Sequence, residues 1–234
     1  MEKGMIFKRT EQKYLLTKKQ YDELLEEMKS KFDKDKYFES NIENIYFDTD
    51  DYYLIVTSMD KPKYKEKIRL RSYSVPSLDD NVFFEIKKKY NKIVSKRRVE
   101  IKLKDYYDYI NKGIIPLNCN QQIMEELDYS IKRYGLKPKL FLAYDRYSYV
   151  AKDNNEFRVT FDYNIRSRED NLNLDYGSKG ELLFDDEYYI MELKVLDALP
   201  MWFINILNKK KIYPVSFSKY GSIYEKKMEL MNYV

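Results

Sequence analysis

Charged and apolar residues alternate with the period of a β-strand along residues 65–88. Four cations occupy every second position from Lys65 to Arg71, and the residues between the later ones are apolar. Because successive side chains of a strand point to opposite faces, this spacing predicts a cationic face and an apolar face. A turn rich in serine, proline and aspartate follows, and the alternation returns with Glu85 and Lys87 on one face.

Similar alternation along most of the chain predicts eight strands. Turns at residues 90–91 and 153–155 join neighbouring strands, which is typical of β-hairpins. Nearly every strand has charged residues on one face and apolar residues on the other. The predicted strands cover residues 7–16, 41–48, 65–71, 82–89, 92–101, 139–151, 156–165 and 188–196.

Amphipathic segments between the strands predict helices. The first follows Thr17, which has a glutamine three residues later as in a capping box, and runs to about residue 32. Residues 166–180 are polar and predict a loop, and the apolar residues 50–57 fit neither a helix nor a strand pattern. The other predicted helices cover residues 103–111, 121–134, 199–208 and 219–231.

The mixture of hairpin strands and helices predicts an α+β fold in a single domain over residues 1–234. The apolar strand faces must be covered, and the amphipathic helices can cover them from outside. About eight antiparallel strands can close into a β-barrel, with the helices packed outside and the charged faces lining the interior.

Composition removes several classes of chemistry. The 234 residues include no histidine and one cysteine, so His-based triads, histidine-ligated zinc and disulfide frameworks are excluded. A metal would need oxygen ligands, which favours Mg²⁺ or Mn²⁺. No glycine-rich phosphate loop, signal sequence or apolar run of roughly 20 residues is found, so we expect a cytoplasmic protein without a membrane span.

The charged strand faces contain more cations than acids. Such a lumen needs water, paired carboxylates or a bound anion, and a long polyanion would match its distributed charge. The alternatives are exposed sheet faces with ordinary ion pairs, or a nucleic-acid groove, for which no recognised motif is present. The cations are Arg9, Lys13, Arg69, Arg71, Lys87, Lys96, Arg98, Arg146, Arg158, Lys194 and Lys219, and the acids are Glu11, Glu85, Glu100, Asp162 and Glu192.

An ordered set of short motifs at these positions resembles the VTC domain. This family is the polyphosphate polymerase branch of the triphosphate tunnel metalloenzymes, which are relatives of the CYTH proteins. The resemblance spans about residues 7–224. The motifs are RTEQKYLL, IYFDT, KIRLRSY, FFEIKKK, SKRRVEI, AYDRYSY, FRVTFD, MELKV and FSKYGS.

The resemblance implies a closed antiparallel tunnel that binds triphosphate or polyphosphate with a divalent metal, Mn²⁺ or Mg²⁺. It implies catalytic, phosphate-contacting roles for Lys13, Arg69, Arg71, Lys87, Arg146, Arg158 and Lys194. It implies further phosphate contacts from Lys96, Tyr144, Ser218 and Lys219, and the charged-face pattern adds Arg9 and Arg98 as phosphate-binding residues. Glu192 would be the principal metal ligand, with Glu11 and Glu85 assisting it.

One departure bears on the activity. The wider CYTH group begins with ExExK, whereas this chain has Arg9, Glu11 and Lys13, which leaves fewer carboxylates for metal. This agrees with the VTC branch. We therefore expect transfer of the terminal phosphoryl group of ATP to a growing polyphosphate chain, with no nucleic-acid partner. The alternatives are a triphosphate hydrolase in the same tunnel, and a non-catalytic module that binds polyphosphate.

Overall fold

The computed structural model describes residues 9–91, 93–185, 187–196 and 198–232, without the side chains of Arg9, Thr10 and Asn232. These residues form nine strands and six α-helices. The strands are β1 (Arg9–Thr17), β2 (Phe32–Asp48), β3 (Tyr64–Ser72), β4 (Asn81–Tyr90), β5 (Ile93–Lys102), β6 (Lys137–Ala151), β7 (Asn154–Arg168), β8 (Glu181–Leu182) and β9 (Tyr188–Leu196). The helices are α1 (Lys18–Met28), α2 (Tyr53–Met59), α3 (Leu103–Lys112), α4 (Gln121–Tyr134), α5 (Met201–Lys209) and α6 (Lys219–Asn232).

The strands form one sheet in the order β1-β9-β7-β6-β2-β3-β4-β5, and the short β8 pairs with β7. Adjacent strands whose register is defined run antiparallel, as in β1 with β9 and β3 with β4. This confirms a mostly antiparallel α+β fold. The predicted closure into a barrel was wrong, because the hydrogen-bonded order has free ends at β1 and β5 in the described part of the chain.

The chain divides into two compact units, and β2, β6 and β7 contribute residues to both. Unit 1 comprises residues 1–40, 144–165 and 184–218, and unit 2 comprises residues 41–143, 166–183 and 219–234. The single domain predicted over residues 1–234 stays a prediction.

In unit 1, the apolar strand faces pack against α1 and α5. Val159 and Phe161 of β7 and Leu193 of β9 are almost fully buried, and they share a cluster with Leu24 of α1 and Phe203 of α5. The helix α1 begins as predicted, because Thr17 and Gln20 form a reciprocal capping box. It ends at Met28, earlier than predicted, because the chain enters β2 at Phe32.

In unit 2, α3 and α4 cover the apolar face of β3, β4 and β5. Leu70, Phe84 and Val99 come from the strands, while Tyr106 of α3 and Leu127 of α4 pack onto them. Burial of these side chains stabilises the unit, because each fully buried large apolar side chain contributes about 1.5–3 kcal/mol. The opposite face of the three strands carries most of their charged residues.

Residues 50–57, which had no predicted element, contribute to α2. The carboxylate of Asp48 accepts hydrogen bonds from the backbone N–H groups of Leu54 at 2.7 Å and Ile55 at 3.0 Å. Tyr52 precedes the helix with φ 61°, a left-handed conformation. A strand-end carboxylate therefore satisfies the free N–H groups at the start of this short helix.

Residues 166–180, predicted as a loop, begin inside β7. Arg168 at the end of β7 organises the turns that follow, because its guanidinium donates to the backbone carbonyls of Asn173 at 2.9 Å and Gly177 at 2.8 Å. Among the described residues, no helix is both long and apolar enough to cross a membrane.

Candidate functional site

A cationic cluster lies on the charged face of unit 2. We call it the arginine cluster. Strand β3 supplies two arginines between residues of β2 and β4, because Arg69 is in register with Tyr46 on one side and Glu85 on the other. The cluster consists of Tyr46, Arg69, Arg71, Glu85 and Lys96.

Glu85 is the counterion of this cluster. Its carboxylate is 2% exposed and lies 2.8 Å from the Arg69 Nε and 2.8 Å from the Lys96 Nζ. Burial opposes ionisation of Glu85, but the nearby Arg69, Arg71 and Lys96 outweigh burial and lower its pKa to about 2. Glu85 is therefore ionised at neutral pH, and one buried carboxylate faces three cations.

Two residues of β2 hold the arginines in place. The hydroxyl of Tyr46 accepts a hydrogen bond from Arg69 Nη1 at 3.0 Å, and the amide oxygen of Asn44 accepts one from Arg71 Nε at 2.8 Å. Burial opposes ionisation of Tyr46, yet the surrounding cations lower its pKa to about 8. With three cations and one carboxylate, the cluster stays net positive.

Two more predicted residues lie on this face of unit 2. Lys87 of β4 is exposed and is directly opposite Lys96 in the register with β5. The guanidinium of Arg98 lies 4.5 Å from the ring centroid of Phe83. Both side chains extend the positive face beyond the arginine cluster.

A second cluster lies in unit 1, and we call it the β9 cluster. Strand β9 supplies Glu192 and Lys194 between β1 and β7, and Glu192 is opposite Lys13 in the register with β1. The cluster consists of Lys13, Arg146, Asp162, Glu192 and Lys194.

Glu192 is the carboxylate at the centre of the β9 cluster. Its Oε1 lies 2.7 Å from the Lys194 Nζ. Burial opposes ionisation, but Lys194, Lys13 and Arg146 outweigh burial and lower the pKa of Glu192 to about 2. Lys13 also donates to the backbone carbonyl of Phe217 at 3.2 Å.

Arg146 is held by a fork of hydrogen bonds to Asp162. Its Nε and Nη2 donate to the two carboxylate oxygens at 2.5 and 2.8 Å, and Asp162 is fully buried. Burial lowers the pKa of Arg146, but the carboxylate of Asp162 outweighs it and raises this pKa. The guanidinium lies 5.4 Å from the ring centroid of the buried Tyr144.

Arg158 and Glu11 lie at the periphery of the charged face in unit 1. Both are in register with Lys194, Arg158 from β7 and Glu11 from β1. Arg158 Nε donates to the carbonyl of Asn155 at 3.4 Å, and its Nη1 lies 3.7 Å from Asp35. Glu11 is exposed. Their roles in binding stay predictions.

Three remaining residues lie at strand or helix ends. Arg9 begins β1, but its side chain lies outside the described residues. Lys219 is the first residue of α6, and Ser218 immediately precedes it, which agrees with the predicted helix start. Backbone N–H groups at such an end are suited to bind phosphate.

The sequence interpretation missed two residues that orient the arginines and one buried polar residue opposite Glu192. Asn44 and Tyr46 fall two positions apart in β2, so the alternation in NIENIYFD was the signal for them. Thr160 of β7 is opposite Glu192, and its hydroxyl is buried without a hydrogen-bond partner among the described residues. These three side chains add uncharged polar groups to the charged faces.

The carboxylates do not form a metal centre by themselves. The part of the chain that the structure describes contains no group of three or more His, Cys, Asp or Glu residues that could hold a metal ion. Glu85 forms ion pairs with two cations, Arg69 and Lys96, whereas Glu192 forms an ion pair with one, Lys194. Mg²⁺ commonly binds through one or two carboxylates plus substrate phosphates, and Glu192 fits that arrangement.

Comparison with solved structures gives one match that supports the fold, described first, and two weaker matches. A Bacillus halodurans protein, provisionally named an adenylate cyclase, is 17% identical over 89% of this chain and 92% of its own, with a TM-score of 0.55. A Vibrio parahaemolyticus protein with the same provisional name is 10% identical over 92% of this chain and 97% of its own, with a TM-score of 0.48. A Pyrococcus horikoshii protein is 15% identical over 94% of this chain and 99% of its own, with a TM-score of 0.46.

Comparison with protein families gives the clearer result. No curated protein matches the sequence. The family model of the VTC domain matches residues 8–227, which is most of the chain. This agrees with the resemblance of the strand motifs. The chain therefore belongs to the VTC domain family.

Proposed function

We propose that this chain is a polyphosphate polymerase, which transfers the terminal phosphoryl group of ATP to a growing polyphosphate chain. Membership of the VTC family indicates a metal-dependent phosphoryl-transfer enzyme that acts on triphosphates. The observation that carries the finer proposal is the arginine cluster. One ionised carboxylate, Glu85, holds the side chains of Arg69 and Lys96 in place without neutralising the cluster.

Phosphoryl transfer needs alignment and charge stabilisation rather than covalent help from the protein. Arginine presents fork-shaped donors that match phosphate oxygens, and lysine presents a point charge. Arg69, Arg71 and Lys96 would bind phosphate oxygens in unit 2, as would Lys13, Arg146 and Lys194 in unit 1. Because their carboxylate and amide partners already restrict the arginines, little side-chain conformational entropy would be lost on binding.

In the proposed reaction, a terminal phosphate oxygen of the polyphosphate chain forms a bond to the γ-phosphorus of ATP. The bond between that phosphorus and the β,γ-bridging oxygen breaks, and ADP leaves. The attacking oxygen is already anionic, so the absence of histidine from the sequence is no obstacle. Cations around the transferred group stabilise the charge of its transition state.

Glu192 would hold Mn²⁺ or Mg²⁺ together with phosphate oxygens of the substrate. Such an ion, when bound, neutralises phosphate charge and polarises the transferred group. The low pKa of Glu192 keeps the carboxylate available as a ligand at neutral pH. Lys194 forms an ion pair with the same carboxylate and would bind a phosphate oxygen beside it.

The test of this proposal is the length of the phosphate product. Purified protein is incubated with ATP and Mn²⁺, and the products are sized on a gel while nucleotides are separated by chromatography. We expect ADP together with phosphate chains longer than a triphosphate. ADP with free phosphate alone would indicate a hydrolase, cyclic AMP with pyrophosphate a cyclase, and unchanged ATP a binding module. Each of these outcomes contradicts the proposal.

Arg71 should contribute directly to triphosphate binding. We expect Arg71→Ala to weaken tripolyphosphate binding by about 1.5–3 kcal/mol, because it removes a charge-assisted donor. Calorimetry measures the change. Arg97→Ala is the matched control, since Arg97 pairs with Glu126 of α4 on the opposite face of the sheet. Equal affinity of the Arg71 variant and the wild type would remove Arg71 from the site.

Glu192 should be required for metal-dependent turnover but not for phosphate binding. We expect Glu192→Gln to keep tripolyphosphate affinity, since it removes a negative charge among cations, while activity with Mn²⁺ collapses. Activity assays across Mn²⁺ concentrations and calorimetry separate the two effects. Glu26→Gln, which changes an exposed glutamate paired with Lys29, is the control.

The same variant has a defined effect on stability. The folded-state pKa of Glu192, about 2, lies below its ordinary value of 4.5. Ionised Glu192 therefore stabilises the folded protein above about pH 4.5, and this contribution is lost as the pH falls through about 2. Glu192→Gln should lower the melting temperature at pH 7.

Full Mn²⁺-dependent activity in a folded Glu192→Gln variant would contradict the assigned role of Glu192 as a metal ligand.

A further inference from the structure

Lysines face one another across the strands of unit 2, next to the arginine cluster. The register of β3 with β4 places Lys65 opposite Lys89 and Lys67 opposite Lys87. We call these four residues the lysine strip. The register of β4 with β5 continues the row from Lys87 to Lys96. The row from Lys65 to Lys96 contains no acidic residue.

The strip is continuous with the charged face that carries Arg69 and Arg71. In β3, the buried Ile68 and Leu70 point to the apolar face. Lys65 and Lys67 occupy alternate positions, so they share the face of Arg69 and Arg71. From residue 65 to residue 71 the strand rises about 20 Å. A triphosphate that binds at Arg71 is too short to reach the far end of this row, whereas a long linear anion is not.

Such an arrangement works against the stability of the sheet. Like charges directly opposite in neighbouring strands are destabilising. Burial lowers the pKa of Lys65, and repulsion from Lys89, Lys61 and Lys87 lowers it further. The face thus carries a repulsion that a bound polyanion would relieve.

We infer that the lysine strip binds the part of a linear polyphosphate chain that extends beyond the arginine cluster. The inference rests on the proposed function for the class of ligand, and it assigns a binding role to Lys65 and Lys89. The ligand must be a long polyanion, because the strip continues the row of the two arginines along β3 and the adjacent β4. Binding through the strip would keep the growing chain attached between successive transfers.

The experiment compares a long and a short ligand on a charge-removing variant. In Lys65→Gln/Lys89→Gln, affinity for a long-chain polyphosphate fraction should fall at least about fivefold at low salt, with a weaker dependence on salt. Affinity for tripolyphosphate should stay within about twofold of the wild type. Both affinities are measured by calorimetry without ATP, so turnover does not enter.

The control variant removes two lysines from α3, on the other side of the sheet. Lys104→Gln/Lys112→Gln makes the same change in net charge on α3, which packs on the apolar face. This variant should bind both ligands like the wild type. Equal loss of long-chain affinity in both double variants would attribute the effect to net charge and overturn the inference, as would no loss in either.

Folding and function are separated by two further readouts. The melting temperature of the double variant should equal or exceed that of the wild type, because a repulsive pair is removed. Lys65 also donates to the carbonyl of Ser58 at 2.9 Å, so Lys89→Gln alone tests the strip without disturbing that bond.

If the protein forms only ADP and phosphate while the strip variants lose long-chain affinity, the proposed polymerase activity fails and the strip stands.

Discussion

The charged faces of both units depend on buried carboxylates that remain ionised among cations. Glu85 and Glu192 each have a pKa of about 2, although burial alone would raise it. A buried carboxylate is stable only where cations and hydrogen bonds replace water, and the removal of its partners would leave a costly unpaired charge. Glu85 also positions Arg69 and Lys96, and Glu192 positions Lys194, because these cations contact the carboxylates directly. Incomplete neutralisation in the arginine cluster leaves positive charge available to an anion.

Alternation in the sequence was sufficient to predict most of the strands and the face on which each charge lies. It failed where long-range hydrogen bonding decides the structure. Alternation shows which face a residue occupies but not which strand lies beside it, so the barrel closure was wrong while the charged faces were recognised. Local interactions at the ends of elements explain the remaining differences between the predicted and the observed helices. Asp48 caps α2 in a stretch that had no clear period, and α1 ends at Met28 although the helix was predicted to reach about residue 32, where β2 begins.

The candidate site was likewise only partly predictable from the sequence. Cations of the strand motifs could be found from the sequence, and Arg69 and Arg146 lie on charged strand faces among oriented partners. Their partners could not be found, because the contact of Arg69 with Tyr46 depends on the β2–β3 register and that of Arg146 with Asp162 on neighbouring strands. The facing lysines of β3 and β4 were likewise invisible until the register was known.

The central claim is that the charged face of each unit is preformed to bind phosphate anions. The most direct measurement is the melting temperature of the wild-type protein with and without tripolyphosphate, at matched ionic strength and pH. A ligand that binds only the folded state stabilises it by RT ln(1 + [L]/Kd), which is about 2.7 kcal/mol at a hundredfold excess over Kd. The account predicts a rise in melting temperature that saturates with tripolyphosphate and does not occur with chloride. An unchanged melting temperature at millimolar tripolyphosphate would contradict it.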